Sequence, residues 1–179
     1  MAGITQRVTG PFRIYYADAG TDAPSFPSDI ETAPTGFTAV GNQLISTDGI
    51  TYDVAYSTTL THVLAYADPV AETLSTLVRK LTFNVLDMST DFWELVTGNT
   101  ASSGEIDMEI SPGDLPEHAF VIIGDGPAAD KMMMLWYPRC SVKVSGSVPM
   151  KSGELAMMPI ELTVLRDSTD GVGTYAVEQ

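Results

Sequence analysis

The chain has 179 residues, of which 44% are hydrophobic and 18% charged, so it is long enough for one domain with a sizeable core and too apolar to be disordered. Its 23 acidic and 9 basic residues give a formal net charge of −14, which disfavours binding to nucleic acid or to an anionic membrane. The single cysteine, Cys140, excludes an internal disulfide framework and a cysteine-based metal cluster.

The N-terminal residues lack the apolar stretch of a signal peptide. No uninterrupted apolar run approaches the roughly 18–20 residues that span a bilayer. We therefore expect the protein to stay in the compartment where it is made. We expect one domain over residues 1–179, with an N-terminal arm over residues 1–11.

The first part of the chain predicts a strand followed by a long loop. Phe12, Ile14 and Tyr16 alternate with the period of a strand. Residues 18–36 contain three prolines and two glycines among polar residues, which is typical of a surface loop. A loop of this length is more often functional, or ordered by a partner, than a plain connection. The alternative of a merely mobile loop stays open.

The next part predicts a long β-hairpin. Asp48-Gly49 is a turn dipeptide. The stretch Ile50–Tyr66 is rich in Thr, Tyr and Val, which favour strands, and Glu72–Leu86 alternates apolar and polar residues. We predict that these two stretches are long antiparallel partners.

One short helix is predicted over Ser89–Gly98. Asp91 followed by Glu94 resembles a capping box, and Gly98 supplies the C-terminal stop. Phe92, Leu95 and Val96 are spaced to form one apolar face. A helix of about two turns is too short to stand alone in water, so it must pack on the sheet.

Strands return after the helix and predict an all-β, mainly antiparallel, two-sheet sandwich or barrel with about nine or ten strands. Pro138 is expected to interrupt one apolar strand, and Asp170-Gly171 to form a turn. The predicted strands are 105–110, 118–123, 131–137, 140–144, 160–164 and 174–177. Met132–Tyr137 is apolar on both faces, so both faces must be covered, either within the domain or by another subunit.

The sequence contains no nucleophile elbow, no phosphate loop and no dinucleotide-binding fingerprint. His62 and His118 lie singly in strand patterns and are interpreted as packed or solvated residues, because general acid–base catalysis needs a positioned partner. Cys140 is interpreted as a buried apolar residue. The acidic pairs Asp167/Asp170 and Asp125/Asp130 are better explained by turn chemistry than by calcium binding. We therefore predict no catalytic residue, no cofactor and no metal.

The order of these features resembles the major tail tube protein of long, non-contractile-tailed bacteriophages. The stretches that carry the resemblance are YYADAGTDAPSFPSD (15–29), GFTAVGNQLISTDGITYDV (36–54), ETLSTLVRKLTFNVLDMSTDFWELVTGN (72–99) and LWYPRCSVKVSGSVPMKSGELAMMPIELTVLRDSTDGVGTYAV (135–177). One departure is Phe37, where many relatives have tryptophan.

The resemblance implies a pair of packed β-sheets with a flanking helix, assembled as six-fold rings stacked into a hollow tube. It implies a structural virion protein, assembled in the host cytoplasm, that delivers DNA to the host without binding it specifically. Its partners would be further copies of itself, a tape-measure protein, a tail terminator and distal tail or baseplate proteins.

We predict that the two long strands pair with strands of neighbouring subunits, because ring closure removes exposed strand edges. The candidate inter-subunit residues are Tyr52, Val54, Leu60, Leu64, Leu77, Leu81, Phe83 and Val85. Head-to-tail contacts then propagate the stack. We expect the loop over 18–36 to form stacking contacts and to become ordered on assembly. Its candidate contact residues are Pro24, Phe26, Pro27 and Ile30.

We further predict that acidic side chains line the bore and repel phosphates, so that DNA slides. The candidates are Asp53, Glu72, Glu105, Asp107, Glu109 and Glu161. Two alternatives keep the self-assembly: a tube subunit of a contractile injection system, or a virion adaptor or decoration protein. A glycan-cleaving enzyme would need a placed pair of carboxylates, and the strand pattern singles out none.

Overall fold

The computed structural model describes residues 11–43, 45, 49–61, 71–86, 89–109, 115–126, 131–146 and 156–177. Within these residues it contains eight strands, one α-helix and a tight turn over Val40–Gln43, in which Gly41, Asn42 and Gln43 have positive φ. The strands and helix are β1 (Phe12–Asp18), β2 (Thr38–Ala39), β3 (Thr51–Thr61), β4 (Ala71–Val85), α1 (Thr90–Thr97), β5 (Glu117–Asp125), β6 (Met132–Val144), β7 (Met158–Val164) and β8 (Thr174–Val177).

All described strand pairs are antiparallel and belong to one hydrogen-bonded sheet with the order β2-β1-β5-β6-β7-β4-β3. β8 pairs with β6 along the same edge as β7, one after the other. The predicted all-β fold with one short helix is confirmed, as are the long hairpin of β3 with β4 and the turn at Asp170-Gly171.

The sheet curls around its own apolar face. Ile14 at one end of the sheet and Leu81 near the other belong to one cluster of buried side chains, which we call the core cluster. The curl is held where Gln43 bonds to the backbone of Ile14 and Ile45 forms a bridge with Val85. The two packed layers predicted from the sequence are therefore two halves of one continuous sheet.

Pro138 does not interrupt β6, contrary to the sequence prediction. The pairing with β5 shifts between His118 and Phe120, where Ala119 opposes both Pro138 and Arg139. Such a β-bulge accommodates a proline because the bulged residue need not donate to the ladder. The Pro138 carbonyl still accepts a hydrogen bond from the Gly20 N–H at 2.9 Å.

Helix α1 lies where it was predicted, but its N-terminus differs from the predicted capping box. Ser89 is the N-cap, and the Glu94 carboxylate accepts a hydrogen bond from the Ala101 N–H at 2.5 Å instead of reaching back to the N-cap. Gly98 ends the helix in the left-handed conformation, as expected. The predicted apolar face of Phe92, Leu95 and Val96 is buried in the core cluster.

The strand predicted at 105–110 is not formed over the described residues 105–109. The Asn99 side-chain amide donates to the backbone carbonyls of Asp107 and Glu109, at 2.8 and 2.9 Å. The Asp107 carboxylate accepts from the Glu109 N–H at 2.9 Å. These side-chain bonds occupy backbone groups that a ladder would need, and so they compete with strand pairing.

A second apolar cluster covers the opposite face of β1, β5 and β6. Tyr15, Val121 and Trp136 are buried in it, and Phe26 and Ile30 from the loop over 18–36 pack against it. Met134 also lies in this second cluster, whereas Tyr137 lies in the core cluster. The prediction that the Met132–Tyr137 strand is covered on both faces is confirmed, and the cover comes from the same chain.

Gly173 permits β8 to lie against β6. It adopts φ +107°, and a Cβ there would collide with the backbone carbonyl of Trp136. Gly171 has φ +74° but no atom within 4 Å of its Cβ position. We expect Gly173→Ala to lower the free energy of unfolding by more than ~2 kcal/mol and Gly171→Ala by about 1 kcal/mol, because only the former adds a collision to the strain. Urea unfolding of the unassembled protein measures both losses, and equal losses would contradict this reason.

Candidate assembly surface

The β3–β4 hairpin extends past the rest of the sheet. β7 covers the outer side of β4 only over Arg79–Val85, and the last pair is Arg79 with Val164. Residues 71–78 of β4 and 55–61 of β3 pair only with each other among the described residues. The described side chains of β3, residues 51–58, are all exposed. This projection is the least covered part of the described chain.

An apolar patch lies on one face of this hairpin, and we call it the hairpin patch. It consists of Tyr52, Val54, Tyr56 and Leu77, which are 48%, 47%, 69% and 39% exposed. The cross-strand pairs Tyr56–Leu77 and Tyr52–Leu81 place it on the same sheet face as the core cluster. The patch therefore continues the apolar core face beyond the region that α1 covers.

The two lateral edges of the sheet differ in how they are protected. At the β1 edge, the Gln43 side chain accepts from the Ile14 N–H at 3.1 Å and donates to the Ile14 carbonyl at 2.8 Å, and β2 pairs with Tyr15 and Tyr16. At the other edge, β3 has β4 on one side and no described strand on the other. The N–H and C=O groups of a free edge are ready to pair with another chain.

The face of β4, β7 and β6 opposite the core cluster is polar, and we call it the polar face. Lys80 on β4 and Lys143 on β6 both contact Oε1 of Glu161 on β7, at 3.0 and 2.8 Å. Asp53 on β3 is the cross-strand neighbour of Lys80. The ammonium groups of the two lysines lower the pKa of Glu161, so this carboxylate stays ionised well into the acid range.

The eight candidate inter-subunit residues fall into three groups. Tyr52, Val54 and Leu77 are exposed in the hairpin patch, which leaves them available to another subunit. The candidates with buried side chains, which the core cluster already occupies, are Leu81, Phe83 and Val85. The side chain of Leu60, and the whole of Leu64, lie outside the described part of the chain.

The described acidic candidates lie on two parts of the chain, the sheet and the irregular segment after α1. Asp53 and Glu161 share the polar face, and Glu161 is already paired with lysines. Glu72 is paired through its backbone with Leu60, but its side chain lies outside the described residues. The remaining candidates are exposed on the irregular segment after α1, and they are Glu105, Asp107 and Glu109.

The loop over 18–36 is folded onto the sheet within a single chain. The Tyr15 hydroxyl donates to the Ile30 carbonyl at 3.0 Å, and Arg13 pairs with Glu31 at 3.2 Å. Phe26 and Ile30 pack on the second cluster, while Pro24 and Pro27 are partly exposed beside them. Part of the apolar surface proposed for stacking is therefore used inside the subunit.

Cys140 and Asp167, whose side chains could in principle take part in chemistry, have structural roles. Cys140 is buried, and burial raises the pKa of its thiol to about 12, which keeps it unreactive. The Asp167 carboxylate accepts from the Thr169 and Asp170 N–H groups, which confirms the turn interpretation. Within the described ranges, no group of three or more His, Cys, Asp or Glu side chains could hold a metal. Asp130 and His62 lie outside those ranges.

A family model described as phage tail tube protein matches residues 4–177, which is nearly the whole chain. The chain belongs to the phage tail tube protein family. A search of curated proteins finds no match.

Membership of the phage tail tube family makes the protein a structural component of the virion tail whose copies assemble into a tube together with other tail proteins. The family is not a class of enzymes. Among the described residues, no helix is long and apolar enough to cross a membrane.

Two features of the phage tail tube subunit escaped the sequence analysis. The contact of Glu161 with Lys80 and Lys143 depends on β7 lying between β4 and β6, and an alternating pattern does not reveal strand order. The bond of Gln43 to the β1 edge depends on a left-handed backbone at Asn42 and Gln43, which are not glycine. Three residues of the hairpin patch, Tyr52, Val54 and Leu77, were in contrast among the sequence candidates, but Tyr56, the most exposed of the four, was not.

His118 couples the stability of the subunit to pH. It lies between the rings of Tyr16 and Phe120, and burial lowers the pKa of its imidazole below 6.5, although Asp18 opposes this shift. The unfolded chain therefore binds a proton at His118 at a higher pH than the folded chain does. Stability contributed by the neutral ring is lost as the pH falls below about 6.5.

We expect the free energy of unfolding of the parent protein to decline between about pH 7 and pH 5, and that of His118→Phe to decline less. Carboxylates with lowered pKa, such as Asp29 and Asp167, lose their stabilisation only at lower pH. Chemical denaturation at a series of pH values measures both slopes. Parallel slopes for the two proteins would show that His118 is not the group responsible.

Proposed function

We propose that the protein forms hexameric rings that stack into the hollow tail tube of a long, non-contractile-tailed phage, through which DNA passes to the host. The observation that carries this proposal is the projecting β3–β4 hairpin, with one free strand edge and an exposed apolar face, in a member of a tube-forming family. Such an edge is a liability for a monomer and an advantage for a subunit.

The hairpin can supply both sides of a repeating contact. No described strand pairs with the outer edge of β3, and none pairs with the opposite edge of β4 over residues 71–78. When β3 of one subunit pairs with β4 of the next, the two strands run antiparallel, as within the hairpin. This contact is heterologous, and it closes into a ring when the rotation per subunit divides a full turn.

The hairpin patch supplies apolar area for the same contact. An isolated two-stranded hairpin is marginal in water, so these strands gain stability when a neighbouring subunit covers them. Burying large side chains such as Tyr56 contributes about 25 cal/mol per Å² of apolar surface. Backbone pairing then sets the register, and the patch adds affinity.

The polar face is the surface that we assign to the bore. If the β3–β4–β7–β6 half of the sheet forms the tube wall, its apolar face is turned towards the core and α1, so the face with Asp53 and Lys80 meets the lumen. Asp53 remains a candidate for a repulsive wall on this face, whereas Glu72 is a candidate whose side chain lies outside the described residues. The candidates on the irregular segment, which are Glu105, Asp107 and Glu109, remain part of the same proposal.

The other assembly roles rest on the family resemblance. Residues 1–179 form one tail-tube domain. The N-terminal arm and the loop over 18–36 contribute to stacking, and the loop does so through Pro24 and Pro27. A tape-measure protein sets the length, and terminator and distal tail or baseplate proteins bind the ends. Assembly takes place in the host cytoplasm, and DNA passes without specific binding.

Helical reconstruction of purified tubes tests the six-fold symmetry, and an enclosing sheath would instead identify a contractile machine.

We expect Tyr56→Asp to prevent tube formation, because a charge would be buried at the subunit contact without a partner. Met108 is 52% exposed on the segment after α1, so Met108→Asp is the matched control and should assemble normally. Both changes should leave the free energy of unfolding of the unassembled subunit within about 0.5 kcal/mol, since both sites are exposed. Negative-stain electron microscopy and sedimentation measure assembly. Normal tubes from Tyr56→Asp would contradict the assignment of the hairpin patch.

A further inference from the structure

One carboxylate on the polar face is shared by two lysines from strands that are not neighbours. Lys80 on β4 and Lys143 on β6 flank Glu161 on β7, and both Nζ atoms approach the same oxygen, Oε1. That oxygen is shielded from solvent, and the Glu161 side chain is only 14% exposed. The lysine side chains are 39% and 44% exposed, so their stems and ammonium groups reach the water side of the sheet.

Lys80, Lys143 and Glu161 together carry one net positive charge in a chain of net charge −14, and Asp53 on β3 is the cross-strand neighbour of Lys80. Two of the nine basic residues lie together here, with a single carboxylate in contact with both. Exposed lysines bind DNA phosphates, because each contact releases a counterion. On the surface assigned to the bore, two unrestrained lysines in every subunit would make a repeating site for DNA.

The position of Glu161 between the two lysines disfavours such a DNA-binding site. A phosphate that approached either lysine would have to displace or repel an ionised carboxylate already in contact with it. We infer that Glu161 keeps Lys80 and Lys143 from binding the phosphates of double-stranded DNA inside the tube. This inference rests on the proposed function, because it requires the polar face to line the bore.

Removal of the Glu161 charge tests the inference. Glu161→Gln releases two lysines. Glu31→Gln is the matched control, because it makes the same change in net charge and releases Arg13 from a 3.2 Å pair that is distant in the strand order from β7. The probe is a short fluorescent DNA duplex, titrated against assembled tubes and against the unassembled subunit at a series of salt concentrations.

We expect Glu161→Gln to bind the duplex at low salt where the parent and Glu31→Gln do not. The slope of log K against log salt should be steeper than that of the parent by about two, since roughly one unit accompanies each released lysine. In the Glu161→Gln background, Lys80→Gln together with Lys143→Gln should return binding to that of the parent.

Each outcome has one meaning. If Glu161→Gln tubes form and bind no more DNA than parent tubes, the inference is wrong and the tube proposal stands. Equal gains in Glu161→Gln and Glu31→Gln would also overturn it, because net charge alone would then explain the binding. A gain by the unassembled subunit that is absent in tubes would overturn the placement of the lysines in the bore.

Failure of the parent protein to form tubes with its initiating tail proteins would overturn the proposed function, and with it the bore. Glu161→Thr is a second variant that tests the same inference if Glu161→Gln does not fold. Threonine is β-branched and already occupies the same face at Thr163, and we expect the same gain in DNA binding from it.

Discussion

Burial of one continuous apolar sheet face is the constraint on which the rest of the structure depends. A single sheet offers no second layer to cover that face, so it curls until β1 approaches the end of β4, and the apolar face of α1 packs into the same core cluster. The bonds of Gln43 to Ile14 and the bridge of Ile45 to Val85 hold the curl. The hairpin extends beyond the curl, so its apolar side chains are left for another molecule to cover.

The same curl makes the two sheet edges unequal, and this inequality gives assembly a direction. Gln43 satisfies the backbone of Ile14 at one edge, whereas β3 presents its backbone at the other. If both sheet edges were equally exposed, copies could pair through either of them. Because the β1 edge is protected, pairing is limited to the β3 side of the sheet. In the contact that we propose, protection of β1 is therefore as important as exposure of β3.

Local patterns were sufficient to predict the hairpin and the later strands from alternation, and α1 from helical spacing and its terminal glycine, because each element is defined by its own neighbours in sequence. They failed where a distant group decided the outcome. Asn99 takes the carbonyls of Asp107 and Glu109 and prevents a strand, and the bulge at Ala119 lets β6 continue through Pro138. The contacts of Glu161 with Lys80 and Lys143 were not predicted, because they depend on a strand order that periodicity does not contain.

Charges act over a short distance in salt solution, and this explains why a single carboxylate can affect DNA binding in a chain with many acidic residues. At physiological ionic strength, interactions between exposed charges are largely screened beyond about 8 Å. Acidic residues on other surfaces therefore do not offset a lysine that meets a phosphate at the wall. A carboxylate in direct contact with the ammonium group offsets it most strongly, and among the charged pairs that the structure describes, Glu161 is the one that contacts two lysines at once. In the proposed bore, net charge would govern how the protein repels DNA from a distance, whereas this pairing would govern what DNA meets at the surface.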